Sequence, residues 1–301
     1  MRKLALIIPG LIGAAVVGIP VASLATSGGE GVKLSGKGEF RATYLHLDDD
    51  GKRVIQGGEA SDYWTLGGGG ALDVAWRALN LQADFSAEGN LDEKSADDTY
   101  RHSYGGGIHV GWRDPGLASF GAFGSVGHVE INDVVGNDPD TVAWGVGLEG
   151  QAFFDPFTLY LQAGYLDRES RSSGGDVDAL KNAGFGRMVG RYFCGDDFKL
   201  EAEASFTQGK MDPDEDDVWI LGWGVDAEYR LGGTPVSGFV GYTGARYDQD
   251  DDSDVLYEHR IGFGVRVYFG QESLKANDRN GVSLDLPRHL EWNGQIAGAL
   301  E

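Results

Sequence analysis

The side chains able to act on a solute lie two residues apart. Lys33, Lys37, Glu39 and Arg41 share one parity, as do Glu201 and Glu203, Asp226 and Glu228, and Glu258, Arg260 and Arg266, while Asp84 and Glu88 repeat the spacing in between. In an extended chain this period puts each group on a single face. Rows of fixed charge facing water sort ions and polar solutes by sign and size. Hydrolysis would need more, because a nucleophile must sit within hydrogen-bond reach of a base. Six histidines are available, His46, His102, His109, His128, His259 and His289. His102 and His259 fall on the apolar parity, Ser103 points away from His102, and no G-x-S-x-G occurs. The sequence therefore predicts no catalytic residue and no enzyme.

Two motif matches carry no chemistry in their context. Gly145 to Gly150 fits G-x-G-x-x-G but sits within an alternating stretch and opens no helix. Asp48-Asp49-Asp50-Gly51 begins like a calcium loop but lacks the closing Glu. Neither cofactor nor resident metal is predicted.

The charges need strands to hold them. In Val255–Phe269, Val255, Tyr257, Ile261, Phe263, Val265, Val267 and Phe269 alternate with Glu258, Arg260, Gly262, Gly264, Arg266 and Tyr268. Such a run, with an aromatic near each end of the apolar edge, is what a strand needs to cross lipid with a polar inner face. The same test finds stretches from Val32, Tyr63, Asn80, Tyr100, Ala118, Val142, Thr158, Ala183, Phe198, Trp219 and Val236, which makes about twelve strands. Aromatics of like parity ten or twelve residues apart, such as Trp64 and Trp76 or Trp144 and Phe154, span roughly 25 Å of height on a tilted strand. The expected fold is all-β, a transmembrane antiparallel β-barrel of about 12 strands over 32–269. Tight turns such as Arg113-Asp114-Pro115-Gly116 and Asp155-Pro156 alternate with longer polar links such as Asp48 to Asp62 and Asp167 to Lys181. Short periplasmic turns and long acidic extracellular loops follow from that alternation.

Ala118–Ile131 has no clean apolar parity, and Ala183–Phe193 must choose between arginines in lipid and aromatics inside. Arginine at mid-bilayer costs about 2–4 kcal/mol, so Arg187 and Arg191 are placed inward with Phe185, Val189 and Phe193, with a bulge available to reset the register.

The N-terminus, with Arg2 and Lys3 before an apolar run to Val21 and small residues before Thr26, reads as a signal peptide over 1–25 and a periplasmic lead over 26–31. With 25 basic and 47 acidic residues the net charge is −22, which excludes nucleic acid as a partner. A single cysteine excludes a disulfide scaffold. Residues 270–301 read as a polar periplasmic tail, with a short helix or disorder over His289–Leu300.

Val32-Lys33-Leu34-Ser35-Gly36, followed by alternation to Tyr44, resembles the opening strand of alphaproteobacterial general porins. The resemblance implies a porin-like channel in the cell outer membrane. Gly264, Val267 and Phe269 also resemble the signal read by the barrel-assembly machinery. The expected partners are that machinery, outer-membrane lipid and lipopolysaccharide, and small hydrophilic solutes.

Within the barrel, the expected pore-lining residues are Lys33, Lys37, Arg41, Asp84, Glu201, Glu203, Asp226, Glu228, Arg260 and Arg266. The first and last strands would join in a basic seam facing acidic walls. Inward glycines, Gly67, Gly107, Gly147 and Gly264 among them, leave room. Two readings stand: a narrow charge-lined pore for passive diffusion, or a non-conducting structural or adhesin barrel with a salt-bridged interior and acidic binding loops. An outer-membrane hydrolase ranks below both. If the acidic loops around Asp212–Asp217 and Asp248–Asp254 hold divalent cations, millimolar calcium raises the melting temperature of the refolded protein; an unchanged melting curve excludes it.

Overall fold

In a computed structural model the described residues are 31–49, 62–90, 100–132, 140–170, 179–212, 216–249 and 255–287. They form twelve antiparallel strands: β1 (Lys33–Asp49), β2 (Asp62–Trp76), β3 (Leu79–Asn90), β4 (Tyr100–Asp114), β5 (Ala118–Asn132) and β6 (Asp140–Phe154) in the first half. The second half holds β7 (Phe157–Ser170), β8 (Ala179–Phe193), β9 (Phe198–Asp212), β10 (Asp216–Arg230), β11 (Val236–Gln249) and β12 (Val255–Phe269). Each strand pairs with its sequence neighbours, and β1 pairs with β12 to close the barrel. At the closure Glu39 faces Arg266 and Arg41 faces Gly264, so the charged parities of the first and last strands share one side.

Phe40, Ile108, Val126, Leu148 and Val225 are each more than half exposed on the outer surface, whereas the chain neighbours His109, Ser125 and Glu149 are buried. Trp64, Trp76, Trp112, Trp144, Phe154 and Tyr229 are exposed on the same side, as the aromatic spacing predicts. From Ala118 to Val129 in β5 the burial alternates without a break. A bulge between Lys181 and Gly184, with Asn182 at φ 50°, sets the register of β8. Below it Phe185, Arg187, Val189, Arg191 and Phe193 are all buried, the inward choice made from the cost of arginine in lipid.

Three expectations change. Residues 270–287 do not hang below the barrel: the chain turns at Gly270 (φ 83°), against the Leu34 carbonyl and Ser35, and re-enters the lumen. There it forms α1 (Leu274–Asn280), capped by Ser273 Oγ accepting from the Ala276 amide at 3.0 Å, and then an irregular run over 281–287. Side chains on the wall give this run partners that solvent would otherwise supply. Second, Arg113 belongs to β4 rather than to a turn and is buried. Third, β9 and β10 extend until only 213–215 separate them, so short and long links do not strictly alternate there. The remaining long links, the leader over 1–25, the lead up to residue 30 and His289–Leu300 lie outside the described residues.

The lumen is layered. Toward the long-link ends, Leu45, Leu166, Leu180, Val218, Ile220, Tyr247 and Leu256 pack with Phe123 and Phe185 into one apolar cluster. Nearer the turn ends lie Tyr160, Val189 and Leu284, and separately Phe193, Tyr268 and Leu274. Polar and charged residues occupy the space between. Leu148→Arg, near the middle of β6 on the outer face, is expected to lower stability by about 2–4 kcal/mol in urea unfolding from phospholipid vesicles; a loss below about 1 kcal/mol would mean that this position does not sit in mid-bilayer.

A charged lumen occupied by the C-terminal segment

Arg191 is the centre of the site. Its position on β8 faces Glu201 on β9 across the ladder, and its Nε donates to Glu201 Oε2 at 2.9 Å. The rest of the guanidinium addresses the C-terminal segment. Nη1 donates to Asp278 Oδ1 at 2.9 Å and to the Ser283 carbonyl at 2.8 Å, and Nη2 donates to Asp285 Oδ2 at 2.6 Å. A planar fork of fixed donors suits carboxylates held side by side. Arg191 and Arg187 also lie over the Tyr160 ring, 5.3 and 5.7 Å from its centroid. Asp278 accepts from Thr158 Oγ1 at 2.6 Å, and Lys37 Nζ lies 3.8 Å from Asp285.

A buried segment outside any helix or ladder needs another way to satisfy its main chain. The wall provides it with side chains. Arg113 donates to the Gly281 carbonyl at 2.8 Å, Gln151 to Ser283 at 3.1 Å, and Gln162 to Asp285 at 2.8 Å. Gln82 donates to the Leu284 carbonyl at 2.6 Å and accepts from the Leu284 amide at 3.3 Å, a reciprocal pair like that of a β-ladder. Leu286 meanwhile lies where a Cβ on Gly107 would be, so this inward glycine makes room for the segment rather than for water.

Beside the segment remains a cavity of about 250 Å³. Its wall carries six cations, Lys37, Arg41, Arg187, Arg191, Lys199 and Arg266, against four carboxylates, Glu39, Asp84, Glu201 and Glu228; Asp278 and Asp285 of the segment bring the carboxylates to six. The expected basic seam and acidic walls are therefore not separated by water. Arg266 pairs with Glu39 at 2.6 Å and with Glu228 at 2.7 Å, Arg41 with Glu88, Arg187 with Glu203 at 2.7 Å, and Arg260 with Glu258 at 2.5 Å. Lys199 closes the network on Glu228 at 3.1 Å. Removing one member of such a buried pair typically costs about 3–5 kcal/mol, because the partner is left charged and unsolvated.

Of the ten residues read from sequence as lining a pore, Lys37, Arg41, Asp84, Glu201, Glu203, Asp226, Glu228, Arg260 and Arg266 join these ion pairs, with Asp84 reaching His109 and Asp226 reaching Arg266. Lys33, the first residue of β1, is exposed. Sequence reasoning missed Gln82, Arg113, Gln151, Asp278 and Asp285. For the glutamines the period-two pattern was available, since each shares its parity with inward charges; for the two aspartates no local signal existed.

His109 is buried between carboxylates. Its Nε2 lies 3.0 Å from Asp84 and its Nδ1 2.8 Å from Glu149, whose other oxygen accepts from Tyr160 at 2.6 Å. Both ring nitrogens are occupied, so the imidazole has none free to act as a general base. Outside the spanning strands, a hydrogen bond from Lys275 on α1 holds the exposed Asp155 carboxyl below its ordinary value, tying the helix to the β6–β7 turn.

No protein-family model and no curated protein matches the chain. Among solved structures it is similar to an outer-membrane channel from Pseudomonas putida F1, at 13% identity over 81% of this chain and 97% of that one, with a TM-score of 0.50. It is also similar to the translocator domain of autotransporter NalP from Neisseria meningitidis, at 13% identity over 80% and 90% with a TM-score of 0.49, and to the Pseudomonas putida toluene transporter TodX, at 9% identity over 79% and 89% with a TM-score of 0.44. At such identities the likeness is one of fold. A closed twelve-strand sheet with an apolar outer face and a charged interior, built like that Pseudomonas channel, makes this chain an outer-membrane β-barrel.

Proposed function

We propose that the chain is a porin-like outer-membrane channel for small hydrophilic solutes, drawn here in its closed state, with the C-terminal segment as the plug. One observation carries this reading: the segment's main chain and aspartates are held by side-chain hydrogen bonds and ion pairs, beside the apolar anchors Leu274 and Leu284, with a charged cavity next to them. A barrel that only needed filling would do so with apolar side chains, which exact no desolvation cost. Contacts of this kind hold a chain that has an alternative outside the lumen, where water replaces each partner. With the segment withdrawn, Lys37, Arg41, Asp84, Glu201, Arg187, Arg191 and Arg266 would line the passage. Lys33, Glu203, Asp226, Glu228 and Arg260 extend the charged wall. Twelve strands give a diameter between a side-chain-filled eight-stranded barrel and a wide porin, enough for a solute of a few heavy atoms. The reading keeps the other sequence-level proposals, a cleaved leader over 1–25, insertion by the assembly machinery, and contact with lipopolysaccharide.

A second reading rests on the apolar layer. Leu45, Leu166, Leu180, Ile220, Tyr247 and Leu256 pack together inside the lumen toward the long-link end, and their apolar side chains offer a hydrophilic solute little to bond. That favours a non-conducting barrel with a salt-bridged interior. For the channel reading the same layer is a second gate that passes solutes only when wetted.

A disulfide lock separates the two. A Cβ on Gly281 lies 3.1 Å from Ser35 Oγ, within disulfide reach. In a Cys194→Ser background that removes the native exposed thiol, Ser35→Cys/Gly281→Cys fixes the segment to β1. In planar bilayers the oxidised barrel is expected to stay silent and the reduced one to show voltage-driven conductance steps. Equal conductance in both states removes the plug role. Silence in both states supports the non-conducting barrel.

A further inference from the structure

We infer that Arg191, with Lys37 and Arg187 beside it, forms a binding site for a solute bearing two adjacent carboxylates, and that Asp278 and Asp285 occupy this site in place of the solute. The inference rests on the channel reading and names the solute class. Three observations support it.

The first is the division of partners around Arg191. The wall satisfies only its Nε, through Glu201, whereas both Nη groups bond to carboxylates that arrive with the segment. Two carboxylates from positions seven residues apart in the chain, Asp278 on α1 and Asp285 on the irregular run after it, converge on one guanidinium edge. A dicarboxylate presents the same pair of groups on one small molecule, and the arginine fork matches their planar oxygens where an ammonium would not.

The second is charge. Arg41, Arg187 and Arg266 keep counter-charges on the wall in Glu88, Glu203 and Glu228, whereas Arg191 also pairs with Asp278 and Asp285 of the segment. When the segment leaves, two carboxylates leave Arg191, and a doubly charged anion takes their place. Lys37 strengthens the same point, since its ion pair is with Asp285, so its counter-charge leaves with the segment.

The third is room. The cavity of about 250 Å³ already borders Asp278, Asp285, Arg187 and Arg191, so a small anion has a place next to the carboxylates it must displace. Competition between solute and segment then couples binding to opening. The apparent affinity is lowered by the fraction of barrels whose segment is withdrawn, and weakening the segment restores it.

The test uses the full chain refolded in detergent micelles, with heat-dependent gel migration as the check of barrel formation. Succinate is titrated calorimetrically into the wild type, Asp278→Asn/Asp285→Asn, and the same double variant carrying Arg191→Gln. The double variant is expected to bind succinate at least about tenfold more tightly than the wild type, and Arg191→Gln to abolish that gain in a barrel that still forms. Sulfate, a di-anion without carboxylates, is expected to bind at least about tenfold more weakly than succinate to the double variant. No gain in the double variant, a gain that survives Arg191→Gln, or equal binding of sulfate overturns the proposal. Calorimetry needs no conductance: a barrel that binds succinate yet stays electrically silent defeats the channel reading alone, and one that conducts without binding succinate defeats the dicarboxylate site alone.

Discussion

Inside a bilayer no water is available to satisfy a peptide group, so every backbone N–H and C=O that enters lipid must find its partner within the protein. For a chain that crosses with strands the only solution is a sheet without edges. The pairing of β1 with β12 is that solution, and the remaining architecture follows from it. Closure fixes one face of every strand toward lipid and the other toward a lumen whose diameter is set by the number of strands. The alternation of exposed Ile108, Val110 and Trp112 with buried His109 and Arg113 is the local expression of that division.

The same closure creates a problem inside. Twelve strands enclose more space than short side chains fill, and the wall carries arginines and carboxylates that cannot be left dry and unpaired. Cross-strand pairs such as Glu39 with Arg266 solve part of it, because the register puts opposite charges on directly opposed residues. The C-terminal segment solves the rest. Its carbonyls take the free donors of Gln82, Arg113 and Gln151, and its aspartates take the two Nη groups of Arg191. Wall and segment are thus complementary: inside the lumen the segment's main chain takes its partners from the wall, and Arg191 and Lys37 take carboxylates from the segment.

The two ends of the lumen differ in kind. Toward the turns the occupant is the C-terminal segment, anchored by Leu274 and Leu284 and otherwise held by polar contacts that water or a solute can replace. Toward the long links the occupants are apolar side chains fixed to the strands, Leu45, Ile220 and Leu256 among them, which no polar solute replaces. The proposed passage would use this difference, with exchangeable contacts at one end and a packed apolar cluster at the other.

How far the sequence reaches depends on the range of the forces involved. Strand identity, strand number and facing are local, since a period of two in side-chain polarity follows directly from pleated geometry. That is why Val255–Phe269 could be read from its residues alone, and why the cost of arginine in lipid was enough to turn Arg187 and Arg191 inward. The presence of about twelve strands also implies closure, because open edges are not tolerated in lipid. Yet nothing local marks Asp278 or Asp285 as lumen residues: 270–287 lacks strand alternation and reads as a polar tail. Its seat exists only once β1, β3, β4, β6, β7 and β8 bring Lys37, Gln82, Arg113, Gln151, Tyr160 and Arg191 around one space. The sequence by itself determined the barrel and the inward facing of its charges; only the tertiary structure decided that Arg191 and Lys37 meet carboxylates of the chain's own C-terminal segment, because those partners are more than eighty residues away and no short-range pattern records them.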